Sequence, residues 1–106
     1  MDPSKHLHQS ASTLSTFAGA TARLWCFLPT HDMLAIELRS LTRTAYLVLT
    51  GCSNVCVPVS WASTRPELLF DANNRVAPVT FIDGAGVRIA CEGATIQDTD
   101  PMPRLR

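Results

Sequence analysis

Four cysteines, Cys26, Cys52, Cys56 and Cys91, and three histidines, His6, His8 and His31, are the side chains best suited to metal binding, thiol redox exchange or nucleophilic attack. Structural zinc sites usually draw two ligands a few residues apart from each of two knuckles. Here Cys52 and Cys56 form a single CxxxC, while Cys26 and Cys91 stand alone, so the spacing predicts neither a metal centre nor a cofactor. Cys26 and Cys91 fall inside alternating apolar patterns, where a thiol packs as a small hydrophobe. Cys52 and Cys56 are the pair placed for a redox role, provided a hairpin sets them face to face.

Nucleophilic catalysis needs a Cys or Ser beside a His whose second nitrogen is held by an acid. Cys26, His31 and Asp32 are near in sequence, but they read as a strand and its turn. Glu37, Glu67, Asp71, Asp83 and Glu92 occupy alternating or turn positions that point them to water, whereas acid–base chemistry needs buried carboxylates with shifted pKa values. Gly84-Ala85-Gly86 is too short for a phosphate cradle and lacks a P-loop lysine, so it reads as a hairpin turn. No catalytic set is expected. The aromatic residues Trp25, Phe27, Tyr46 and Trp61 remain as candidates for a binding surface or pocket.

The elements that must position these side chains read mainly as strands. Ala45 to Leu49 is apolar at five successive positions, which predicts a strand covered on both faces and central in its sheet. Gly51 to Asn54 reads as a turn leading into a returning strand at Val55 to Val59, making a central hairpin from Thr44 to Trp61. A two-residue loop puts Cys52 opposite Val55, and a three-residue loop puts Cys52 opposite Cys56; only the second allows a disulfide. Thr21 to Leu28 and Met33 to Ser40 form a first hairpin about Pro29 to Asp32, with Trp25 and Phe27 on one face and Leu24, Cys26 and Leu28 on the other. In its second strand Leu34, Ile36 and Leu38 face inward and Glu37 and Arg39 face water. Thr64 and Glu67 match a capping box, which predicts a short helix over Arg65 to Ala72 lying beneath Trp25 and Phe27, with an irregular strand as the alternative for that segment. Val79 to Ile82 and Val87 to Cys91 form a last hairpin, and Gly93 marks a bulge or bend because Ile96 is out of phase with Ile89 and Cys91.

The predicted architecture is a single small antiparallel β barrel or sandwich over residues 20–98, with six or seven strands built from successive hairpins and one short helix near 65–72. Residues 1–19 are expected to be a loosely ordered or weakly helical arm, and 99–106 a tail. At 106 residues one core is the expectation. Nine basic and nine acidic side chains cancel without clustering, which argues against a nucleic-acid partner or an anionic membrane surface. The apolar runs are too short to span a bilayer, and Leu7 to Phe17 is too polar for a signal peptide. A cytoplasmic location is therefore expected. The leading functional expectation is a non-catalytic bacterial interaction module, of the accessory, adaptor or immunity type, that binds a protein partner or itself. The alternatives are a small apolar-ligand-binding barrel lined by Trp25, Phe27, Tyr46 and Trp61, and a thiol redox protein using Cys52 and Cys56.

Overall fold

The computed structural model describes residues 3–28, 33–52, 55–56, 60–84 and 86–101. Among these residues one helix, α1 (Pro3–Ser15), precedes nine strand segments: β1 (Thr21–Leu28), β2 (Met33–Arg39), β3 (Thr44–Thr50), β4 (Val55–Cys56), β5 (Ser60–Ala62), β6 (Glu67–Phe70), β7 (Val79–Asp83), β8 (Val87–Cys91) and β9 (Gly93–Gln97). They make an antiparallel five-stranded sheet of order β5-β1-β2-β3-β9 and a four-stranded sheet of order β4-β8-β7-β6. The two hydrogen-bonded ladders do not join into a closed barrel, and the arrangement is sandwich-like.

Alternation explains the core. Leu34, Ile36 and Leu38 of β2 and Ala45, Leu47 and Leu49 of β3 point between the sheets, where they meet Val79, Phe81, Val87, Ile89 and Cys91 from the other sheet. Ala35 and Val48, on the reverse face of the five-stranded sheet, are buried as well. The apolar run in β3 is thus covered on both sides and flanked by β2 and β9, as its composition predicts. At the N-terminus the helical alternative is the one present: proline suits a first helical turn because its missing N–H is not needed there. Leu14 and Phe17 carry this segment into the core. The Gly19 amide donates to the Ser63 carbonyl and the Ser63 amide to the Ala20 carbonyl, which fixes the exit of α1 against the β5–β6 connection.

The first and last predicted hairpins are present as β1–β2 and β7–β8. The central hairpin is not. β3 pairs with β2 and β9, while β4 pairs with β8, so the Gly51 region is a corner where the chain passes from one sheet to the other. Gly51 has φ +64, and a Cβ there would run into the Glu92 side chain, which accounts for glycine at the bend. The facing strand crosses between sheets at the same level. Glu92 and Gly93 both lie against Thr50, the Glu92 amide donating to the Thr50 carbonyl at 2.9 Å. This extra residue re-phases the strand, so Cys91 and Ala94 both face the core, the bulge that Gly93 and the phase of Ile96 imply.

A second corner lies between β5 and β6, where the sequence predicts a helix over Arg65 to Ala72. The segment is instead strand β6, at the edge of the four-stranded sheet. Asp83 supplies the reason. Its Oδ1 accepts hydrogen bonds from the amides of Thr64 (3.1 Å), Arg65 (2.9 Å) and Gly84 (2.8 Å), and its Oδ2 accepts from Trp61 Nε1 (3.0 Å). These donors hold residues 64–65 in a bend that leads into a strand. Asp83 was expected in a solvent-facing turn but is 5% exposed. Burial alone raises its pKa; the bonds from the Arg65 amide, the Trp61 indole and the Gly84 amide outweigh it and hold the carboxyl below its ordinary 3.8. The Ser63 hydroxyl lies close enough to assist but makes no well-formed hydrogen bond.

Candidate functional site

Among the described residues, polar and aromatic side chains converge on the outer face of the five-stranded sheet, away from the core. Its centre is Glu37. Alternation along β2 correctly puts Glu37 on the outer face, but the expectation that it meets water fails: Glu37 is 3% exposed. The cause is a bulge in β1. Leu28 pairs with Met33, and an unbroken register would set Arg23 opposite Leu38. An irregularity between Leu24 and Cys26 shifts the pairing so that Arg23 stands opposite Glu37, with Tyr46 on the other side. Arg23 Nε then donates to Glu37 Oε1 at 2.8 Å and Nη2 to Oε2 at 3.5 Å. Arg39 Nη2 approaches Oε1 at 3.7 Å, and Tyr46, in register with Glu37, sets its phenol beside the same carboxylate.

Trp25, the residue at the bulge, lies over this cluster. Its ring is 5.6 Å from that of Tyr46 at 52°, the Arg23 guanidinium carbon is 4.7 Å from its centroid, and its Nε1 donates to Asp100 Oδ1 at 2.7 Å. The bulge also separates Trp25 from Phe27, which were expected on one face: past it Cys26, not Phe27, comes into register with Ala35 on the outer face, and Phe27 with Leu34, which belongs to the core. Phe27 nevertheless remains 48% exposed at the end of β1. The predicted cover for Trp25 and Phe27, a helix over Arg65 to Ala72, does not exist.

Of the four aromatic candidates, the fold therefore joins Trp25 to Tyr46 and leaves Phe27 apart from that pair. Trp61 is 8% exposed in the core, bonded to Asp83. The hairpin that would have set Cys52 against Cys56 is not formed. Cys56 is in register with Arg88, its side chain lies outside the described residues, and so do Ser53 and Asn54. The side chains of His6 and His8, and all of His31 and Asp32, likewise fall outside them. Among the described residues no three His, Cys, Asp or Glu side chains group as metal ligands.

The electrostatics suit contact better than proton transfer. Burial and the nearby Asp100 carboxylate push the Cys26 thiol up. Burial, Glu37 and Asp100 push the Tyr46 phenol up. Both groups stay protonated at neutral pH, the opposite of what a nucleophile or base requires. Arg23, Glu37, Arg39 and Asp100 are the residues that sequence reasoning missed. Their signal is non-local, because the β1 bulge and the packing of residue 100 against β1 have no local sequence mark. No protein-family model matches this chain, and no curated protein or solved structure is significantly similar to it.

Proposed function

We propose that this domain is a non-catalytic protein-interaction module whose contact surface is the outer face of the five-stranded sheet around Trp25. The observation that carries this reading is the grouping of Trp25, Tyr46 and Arg23 about a buried carboxylate on a face turned away from the core. Trp, Tyr and Arg dominate the energetics of protein interfaces, because rigid rings supply area at low entropy cost and a guanidinium makes several directed bonds. The Arg23 and Arg39 side chains are 47% and 63% exposed, which leaves N–H groups for carboxylates or carbonyls of a partner while Glu37 fixes their position. The partner is then a protein, or a second copy of this one, that presents acidic side chains beside an apolar patch. The alternative of an apolar ligand held inside a barrel loses its lining, since Trp61 faces the core and Trp25 and Tyr46 lie on the other side of the sheet.

Site-specific photocrosslinking in the producing cell tests this. A benzophenone amino acid at Arg39, on the outer face with its side chain 63% exposed, is expected to give one discrete protein adduct, absent when it is placed at Val76, which is 75% exposed between β6 and β7. The adduct should weaken at least tenfold in Trp25→Ala and Arg23→Glu backgrounds. Equal adducts from both positions, or an adduct indifferent to those substitutions, would contradict the proposal.

A further inference from the structure

The corner that replaces the expected central hairpin brings a different pair of cysteines together. Thr50 pairs with Gly93 on one side of this corner and Val55 with Ile89 on the other. Those two rungs confine Cys52 to the stretch facing Ala90, Cys91 and Glu92. Adjacent strands run about 5 Å apart, and a disulfide needs alpha carbons roughly 4.4–6.8 Å apart with the side chains on one face. The face is shared: Cys91 is fully buried in the core cluster, Cys52 packs against that same cluster, and Glu92 between the strands is turned outward. Both sulfurs are present as thiols. Cys52 is only partly buried, so a small oxidant can reach it, while Cys91 is 0% exposed and can react only through a neighbour.

We propose that Cys52 and Cys91 are a peroxide-oxidisable dithiol whose disulfide staples the corner joining the two sheets. The Cys52 thiolate attacks one oxygen of hydrogen peroxide, the O–O bond breaks, and water leaves after protonation, with Cys52 as the sulfenic acid. The Cys91 sulfur then attacks that sulfur, the S–O bond breaks and a second water leaves. Two thiols lose two electrons and two protons, and one peroxide becomes two waters. Burial and the nearby Cys52 push the Cys91 thiol up to about 12, so the second step is slow at neutral pH and accelerates as pH rises. This pair differs from the Cys52 and Cys56 pair that the CxxxC spacing suggests.

The experiment treats the full chain with hydrogen peroxide, alkylates it under denaturing conditions and maps the peptides by mass spectrometry. The expected result is loss of two of the four thiols, a Cys52–Cys91 linked peptide that persists in Cys56→Ser, and its reversal by dithiothreitol. The oxidised chain should melt roughly 10 °C or more above the reduced one, because the bond restrains the unfolded chain. A Cys52–Cys56 link, Cys52 overoxidised beside an intact Cys91 thiol, or four thiols still open to alkylation would each overturn the proposal.

Discussion

Asp83 and Glu37 are the two buried carboxylates among the described residues, and they are held in different ways. Asp83 sits at the β5–β6 corner, and its partners are backbone amides and the indole of a core tryptophan, donors that cannot move without unfolding the corner. Glu37 sits on the outer sheet face, and its partners are long, half-exposed side chains, Arg23 and Arg39, with Tyr46 beside them. A carboxylate bound by main chain defines where strands go. A carboxylate bound by exposed guanidiniums leaves those groups free to rearrange or to take a second acceptor. Similar burial therefore serves architecture in one region and presents a surface in the other.

Substitutions at the two acids separate these roles. Asp83→Ala strips the acceptor from three amides and an indole, and each buried donor left unmet costs about 1–3 kcal/mol, so a loss of at least about 3 kcal/mol is expected in denaturant unfolding. Asp83→Asn keeps an oxygen for the amides but sets an NH2 group against Trp61 Nε1, and about half that loss is expected. The pH dependence has a definite sign. The folded-state pKa of Asp83 lies below its ordinary 3.8, so its contribution is fully present above about pH 4 and is lost as pH falls through the depressed value. The stability difference between the native chain and Asp83→Asn should accordingly shrink below pH 4. Glu37→Gln should cost less, about 1 kcal/mol, because the guanidiniums it leaves are already near water. If Glu37→Gln proved as destabilising as Asp83→Ala, the outer face would be framework as well.

The two flanking hairpins were legible because alternation and a turn at the right distance are both local signals. The central stretch misled for a physical reason. Gly51 to Asn54 has the residues of a turn, but whether the following strand returns to β3 or goes to β8 depends on strands more than 30 residues away. The capping box of Thr64 and Glu67 misled in a related way, since Asp83 takes the Thr64 and Arg65 amides from across the fold and commits the segment to a strand. Trp25 and Tyr46 could be chosen by residue type, yet their juxtaposition, and the meeting of Arg23 with Glu37, depends on one extra residue in β1 that no local pattern marks.

The chain has two tryptophans, and each indole N–H reports on one of the two regions. Trp61 Nε1 is bonded to Asp83 in the core, and Trp25 Nε1 to Asp100 at the surface. Exchange of the two indole protons with deuterated water, followed by NMR, measures directly how firmly each region is held. The Trp61 proton is expected to exchange only through global unfolding, at least about 100-fold more slowly than that of Trp25, which opens locally. Equal rates, or a Trp25 proton slower than that of Trp61, would contradict the division between a fixed corner and an adaptable face.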